Sequence, residues 1–155
     1  DPAADECVLV ARVGVVKSGP SRGYRQRTDV GIVGWVARNG QTVRANDVRQ
    51  DARYLGAALN GEGLLSELTV PVRLEGRTIG VIDVQKREVG AFDDSDVVAM
   101  ETLSDQLAQA LANVQLFERT RLLLDLNRSI INAMPSGLCV LDSRHRILFA
   151  SPAFG

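Results

Sequence analysis

Leu68, Val70, Val72 and Leu74 alternate with Thr69, Pro71, Arg73 and Glu75, a period of two that predicts a strand with one apolar and one mixed face. A second run puts Ile79, Val81 and Asp83 on one face and Gly80, Ile82 and Val84 on the other. Glu75-Gly76 between them supplies the glycine of a tight turn, so Ser66 to Gln85 reads as an antiparallel hairpin. Pro71 lacks a donor N–H and places its position at an edge or turned away from the ladder. Asp83, a carboxylate within an apolar strand, requires partners or water.

From Asp93 the period changes. Asp93 or Asp94 caps a helix, Asp96 adds charge favourable to its positive end, and no glycine or proline interrupts it before Pro135. Such a helix, Asp93 to Ala133, runs about 60 Å. Leu103, Ala110, Phe117, Leu124 and Ile131 recur every seven residues, with Met100, Leu107 and Val114 at the complementary spacing. That seam predicts a dimer helix through Leu103, Leu107, Ala110, Val114, Phe117, Leu124 and Ile131, its first half packed on the sheet and its second on a partner helix. Beyond Val114 the companion positions become Arg121 and Arg128 while Leu116, Leu123 and Ile130 form a neighbouring stripe, so the apolar face shifts. A single longer helical hairpin and a frayed terminal helix are the alternatives.

Upstream, residues 7–16 (CVLVARVGVV) read as a strand and 17–28 as a surface loop. GIVGWVARNG reads as a short helix from Gly31 stopped at Gly40, and QTVRA as a short strand. NDVRQDARYLGAALNGEG is a glycine-punctuated connection with room for one or two helical turns, long enough to be functional. After Pro135-Ser136-Gly137 the chain reads strand, turn, strand.

Composition narrows the function classes. The 155 residues are 45% apolar and 24% charged, an ordinary globular balance. A formal net charge of −1 gives no bulk electrostatic case for nucleic acid or a membrane surface. No stretch reaches the roughly 18 apolar residues of a spanning helix, and the start lacks a basic segment ahead of an apolar one. A cytoplasmic location is the resulting expectation. Cys7 and Cys139 sit in apolar runs, where a small buried thiol is the common outcome. His145 is the lone histidine, so a protein-built zinc site is disfavoured. No Ser/His/Asp set and no phosphate-cradling glycine motif is present.

The order strand, loop, GIVGWVARNGQTVRANDVRQDARYL, SELTVPVRLEGRTIGVIDVQ, AFDDSDVVAMETLSDQLAQAL resembles the GAF domain of signalling proteins over residues 5–117. SIINAMPSGLCVLDSRHRILFASPAF resembles the opening of a PAS domain. The resemblance implies an α+β fold: a GAF-like antiparallel sheet with flanking helices and a long C-terminal signalling helix. It also implies three parts: a sensory domain at 1–117, a coiled-coil linker at 118–134 and an incomplete PAS-like start at 135–155. That order is found in bacterial sensor histidine kinases of two-component systems. The helix and first strand with which the family begins have no counterpart ahead of CVLVARVGVV.

By the same resemblance, Trp35, Asn46, Asp47, Tyr54, Ser66, Glu67 and Asp83 are candidate ligand-binding residues, with the ligand unnamed. Each has a structural alternative: Trp35 as core, Asn46 and Asp47 as turn or cap residues, Glu67 as a partner of Arg53 or Arg73. Of the signature of cyclic-nucleotide-binding members, Lys86, Phe92 and Asp96 match while the asparagine and glutamate do not. Lys86 and Asp96 are therefore read as a structural ion pair. No cysteine lies between Val8 and Leu138, which disfavours covalent bilin attachment and removes the nucleophile of methionine sulfoxide reductase chemistry. The leading reading is non-catalytic: a regulatory, small-ligand-sensing homodimer module. A ligand-free dimerisation spacer and a sulfoxide reductase are the alternatives.

Overall fold

The computed structural model describes residues 5–14, 20–55 and 63–154, and the chain divides into two compact units, 1–111 and 112–155. In the first unit Glu6–Val8 (β1) pairs antiparallel with Arg25–Arg27 (β2). Gly31–Asn39 (α1) follows, then Val43–Ala45 (β3), a 3-10 turn at Val48–Gln50, Ser66–Leu74 (β4), Arg77–Lys86 (β5) and the long helix Asp94–Ala133 (α2). In the second unit Cys139–Leu141 (β6) and Ile147–Ala150 (β7) form an antiparallel hairpin ahead of a 3-10 turn at Pro152–Phe154.

Two upstream expectations are corrected. The strand read over residues 7–16 shrinks to Glu6–Val8, with 9–13 outside any strand and 15–16 outside the described residues. Part of the loop read over 17–28 is instead its partner, β2. The pair is three residues long because only Glu6↔Arg27, Cys7↔Gln26 and Val8↔Arg25 come opposite each other. Of the glycine-punctuated connection, the expected helical turn is the 3-10 segment, and 56–62 lie outside the described residues.

The main sheet has the order β3-β4-β5, antiparallel throughout. Glu75 and Gly76 both have positive φ, 50° and 76°, as a type I′ hairpin turn requires. β3 pairs only with Glu67 to Thr69, so Pro71 falls where one side of β4 has no ladder and its missing N–H leaves nothing unmade. The bulge between Val72 and Arg73 lies just beyond.

Alternation divides the core between the two faces of this sheet. On one, Val43 and Ala45 of β3 join Ile32 and Val36 of α1 and Val48, with Trp35, Tyr54 and Val81 packed against them. On the other, Leu68 and Val70 join Phe92, with Ile82, Val84, Val97 and Met100. α1 closes on β2 at Gly34, whose absent Cβ would stand 2.7 Å from the Arg27 carbonyl oxygen. It ends where predicted, at Gly40 in the left-handed region with φ 64°.

α2 begins with a reciprocal cap. Asp93 Oδ1 accepts from Ser95 N (2.8 Å) and Asp96 N (3.0 Å), and Asp96 Oδ2 accepts from Asp93 N (3.0 Å). Arg44 Nη1 to Asp94 Oδ1 (2.7 Å) and Thr42 Oγ1 to Glu101 Oε1 (2.6 Å) fasten β3 to the start of this helix. Its buried residues are Ser104 and Ala108, with Met100 and Val97 partly covered. Of the predicted seam and its companions, only Met100 meets the sheet. Leu103, Leu107, Ala110, Val114, Phe117 and Leu124 are exposed and Ile131 is half-buried. The expectation that the seam's first half packs on the sheet is thus replaced by an adjacent, smaller-residue face. Among the described residues no helix is long and apolar enough to cross a membrane.

Candidate functional site

Strand alternation puts Glu67 and Thr69 of β4 on the same face as Val43 and Ala45, opposite which β5 presents Gln85 and Asp83. Four polar side chains converge there. Thr69 Oγ1 lies 2.7 Å from Asp83 Oδ1 and 3.1 Å from Glu67 Oε1, and Gln85 Nε2 donates to Asp83 Oδ2 at 2.8 Å. The partners that the strand position of Asp83 demanded are therefore Thr69 and Gln85.

Glu67 is 1% exposed, and its Oε2 has no hydrogen-bond partner. Withdrawal from water pushes the Glu67 carboxyl far above the usual carboxylate range, and the negative charge of Asp83 raises it further. The Asp83 carboxyl is also raised, foremost by removal from water, against the lowering effect of hydrogen bonds from Thr69 and its other neighbours. As a residue, however, Asp83 stands exposed. Burial therefore controls Glu67 more firmly, and Glu67 is the member that holds a proton near neutral pH.

The loop after the 3-10 turn borders this face. Arg53 forms a bidentate pair with Asp51 (2.6 and 2.9 Å) and lies 4.6 Å from the centroid of the Trp35 ring. The hydrogen bonds from Arg53 to Asp51 chiefly push the guanidinium further up, with the charge of Glu67 a smaller contributor. A groove of about 580 Å³ runs along the Trp35–Arg53 side past Gly31, Arg38 and Leu55. Glu67 and Asp83 do not line it. The groove is open surface, so the buried polar cluster, with its unmet acceptor, defines the site.

The other predicted residues scatter. Asp47 caps the 3-10 turn, accepting from Arg49 N at 3.1 Å and pairing with the Arg49 guanidinium at 2.7 Å, which holds its carboxyl down at about 2. Asn46 is exposed, and its carbonyl accepts from Gly90 N at 2.7 Å. Tyr54 packs on the α1 core. Ser66 is fully buried with an unpartnered Oγ, but alternation turns it to the face opposite Glu67. Trp35, Tyr54, Glu67 and Asp83 are thus brought to one side of the sheet and Ser66 is not. The expected Lys86–Asp96 pair gives way to other partners: Lys86 Nζ donates to the Ala91 carbonyl at 3.0 Å and lies over the Phe92 ring, while Asp96 is spent in the helix cap. Thr69 and Gln85 were missed, and Arg53, expected as an alternative partner of Glu67, pairs with Asp51 instead. The first two stand two residues from Glu67 and Asp83, the spacing that shares a strand face, and were findable on that ground.

Cys7 and Cys139 are both free thiols, and burial pushes the Cys7 thiol up, away from nucleophilic character. Among the described residues no group of three or more His, Cys, Asp or Glu is placed to hold a metal.

A helix-backed antiparallel sheet with a polar cluster on its other face, beside a short helix and a loop, is the architecture of a small α+β module. The family model described as the GAF domain matches residues 4–112, and the chain belongs to that family of small-ligand-binding signalling modules. It is 27% identical over 82 residues to Protein YtsP of Bacillus subtilis (strain 168), covering 53% of this chain and 48% of that one. It is 30% identical over 109 residues to dual 3′,5′-cyclic-AMP and -GMP phosphodiesterase 11A of Takifugu rubripes, covering 67% of this chain and 12% of that one. The chain therefore spans about half the length of the first relative and a small part of the second. Among solved structures, free methionine-R-sulfoxide reductase of Neisseria meningitidis in complex with its substrate superposes with a TM-score of 0.59 at 26% identity, over 70% of this chain and 60% of that one. A methyl-accepting chemotaxis protein fragment, residues 122 to 287, gives a TM-score of 0.63 at 23% identity over 76% of both chains, a likeness of fold.

Proposed function

We propose that this chain is a regulatory, small-ligand-sensing and dimerising module of a bacterial signal-transduction protein, a sensor histidine kinase, and that it works in the cytoplasm without catalysis. The ligand binds on the α1 face of the sheet around Glu67 and Asp83, and α2 transmits the change to a following PAS-like segment that opens with β6 and β7. The observation that carries the ligand is Glu67 Oε2: a buried acceptor with no partner costs roughly 1–3 kcal/mol, and a ligand donor removes that cost. Transmission is supported by the apolar positions that α2 leaves exposed, which a second copy would cover. Ligand and partner state then bias two arrangements of the helix.

Native mass spectrometry and a thermal-shift screen of the full chain test this. A retained small molecule, or a compound that raises the melting temperature of the parent but not of Glu67→Gln, supports the reading. A chain that associates yet retains and responds to nothing is instead a ligand-free dimerisation spacer.

The 26% identity to a methionine sulfoxide reductase favours a second reading, an enzyme of that kind. It requires a thiol, and the thiols present are Cys7, shifted away from reactivity, and Cys139 in β6. Thiol-dependent reduction of methionine sulfoxide that disappears in Cys7→Ser with Cys139→Ser would establish it. Activity equal to the parent in that variant excludes it.

A further inference from the structure

Arg25, Arg27, Arg44, Arg49 and Arg53, all in the first unit, each hold a carboxylate. That pairing lapses at the end of the sheet where the β4–β5 turn meets the C-terminus of α1. Arg38, Arg73 and Arg77 line a groove of about 540 Å³ there, with Gly40, Gly76 and Thr78. Among the described residues no carboxylate pairs with any of the three, although Glu75 stands in the turn between Arg73 and Arg77. Neither Glu67 nor Asp83 lines this groove.

The bulge in the hairpin decides what stands beside Arg73. Gly80 opposes Val72 but Thr78 opposes Arg73, so Ile79 is the extra residue and the alternation of β5 is reset beyond it. Without the bulge an isoleucine would face Arg73; with it a hydroxyl does. This pair meets the end of α1 at Gly40, where a Cβ would come 3.2 Å from Thr78 Oγ1 and 4.0 Å from Arg73 Cδ. Thr78 Oγ1 has no hydrogen-bond partner among the described residues. Arg38 comes from the last turn of α1. Asp29 feels its charge but makes its own bidentate pair with Arg27. A cation beside a helix C-terminus offsets the dipole, yet that end carries only about half a negative charge. Set against three guanidinium groups, the helix end and Glu75 together leave the groove positive.

We propose that Arg38, Arg73 and Arg77, with the Thr78 hydroxyl, bind the phosphate group of a small soluble phosphorylated molecule. Each guanidinium offers a planar fork of N–H donors, and Thr78 adds an O–H. A carboxylate, with one charge and two oxygens, leaves most of these donors unused. A phosphate monoester brings three terminal oxygens and close to two negative charges at neutral pH. The chain's net charge of −1 supplies no bulk attraction for anions, so the preference is local to the groove. Arginine keeps its charge throughout, and no histidine or carboxylate lines the groove. The ligand alone therefore sets the pH dependence: affinity rises as the phosphate loses its second proton, at about pH 6. This site goes beyond ligand sensing at Glu67 and holds whether or not that face is occupied.

Inorganic phosphate, glycerol 3-phosphate, sulfate and acetate are titrated at constant ionic strength into the full chain labelled with nitrogen-15. The two phosphates should move the Gly40, Gly76 and Thr78 amides saturably, and acetate should not. Lowering the pH from about 7.5 to about 5.5 should weaken phosphate several-fold and leave sulfate, which does not titrate there, unchanged. Arg38→Gln, Arg73→Gln and Arg77→Gln should each weaken phosphate by about tenfold, and Arg73→Lys should recover only part of that loss. All three arginines are exposed, so the variants should fold, which their urea midpoints check. Arg22→Gln and Arg87→Gln remove the same charge outside the groove and should change affinity by less than about twofold. An equal loss in those two variants, shifts from acetate as large as those from phosphate, or a phosphate affinity indifferent to pH overturns the inference. Binding to vesicles containing phosphatidic acid without binding of glycerol 3-phosphate also overturns it, by making the ligand a membrane surface.

Discussion

Ser104 Oγ donates a 2.7 Å hydrogen bond to the Pro71 carbonyl, and by it the long helix is fastened to the central strand of the sheet. Ser104 is 1% exposed and Pro71 is buried, so the bond is made away from water. Small residues at Ser104 and Ala108 let the helix approach this closely. Ser104→Ala removes the donor and leaves a buried acceptor, with an expected cost of about 1 kcal/mol in urea unfolding. Ser104→Leu forces the helix off the sheet and should cost more, about 1–3 kcal/mol.

Thr69→Val tests the polar cluster. Valine keeps the shape but deprives both Asp83 Oδ1 and Glu67 Oε1 of the hydroxyl between them. Two partly or fully buried oxygens lose their partner, and destabilisation of about 2 kcal/mol is expected by denaturant unfolding. Thr69→Ser retains the hydroxyl and should lose less than 1 kcal/mol. Equal losses in the two variants would mean that the methyl group, not the hydroxyl, matters there.

Glu67 also sets a pH dependence whose sign follows from the direction of its shift. Its folded pKa is raised above the unfolded value, so the folded state holds a proton that the unfolded chain releases as pH rises past the ordinary glutamate range. Stability from this group is full below the unfolded pKa and declines as pH climbs towards the folded one, by up to about 1.4 kcal/mol per pH unit. Glu67→Gln stays neutral and abolishes that slope. The variant should therefore gain stability relative to the parent between pH 5 and pH 8, read from urea midpoints at each pH. A difference that stays flat over this range means that Glu67 is not protonated in the folded chain.

Gly34→Ala sets two effects against each other. Alanine favours a helix interior over glycine by about 1 kcal/mol. The new Cβ would meet the Arg27 carbonyl oxygen at 2.7 Å and the Thr28 carbonyl carbon at 3.1 Å, backbone atoms that do not rotate away. The clash should win, with a net loss of about 1–3 kcal/mol. A stabilised variant would show that α1 moves off β2 without cost.

What was legible in the sequence was local. The Glu75-Gly76 turn, the Gly40 stop and the Asp93 cap each depend on residues within a few positions of one another, and each lies where its chemistry placed it. The strand over residues 7–16 was overextended because an apolar run says nothing of how far a partner reaches, and β2 opposes only three residues. Thr69 and Asp83 are 14 residues apart and meet only through strand register. Ser104 was passed over because periodicity weighs large apolar residues, whereas the face of α2 that meets the sheet is chosen by small ones. Lys86 found the Ala91 carbonyl because Asp96 was already committed to its own helix end.

The exposed seam of α2 gives the last prediction. Leu103 and Leu107 are 51% and 41% exposed, beside but not within the face that packs on the sheet, and Phe117 is 69% exposed. Charged substitutions at exposed sites change stability by about 0.5 kcal/mol or less, so Leu103→Lys with Leu107→Lys should leave the unfolding midpoint nearly unchanged. If these leucines face a second copy, the same change buries like charges against each other, and association measured by light scattering should fall at least tenfold. Truncation after Gln115, which removes Phe117, Leu124 and Ile131, should weaken it further. Association that survives both changes would place the dimer contact elsewhere and deprive α2 of its proposed role. A collapse of stability in the lysine variant would instead show that Leu103 and Leu107 belong to the core of the module.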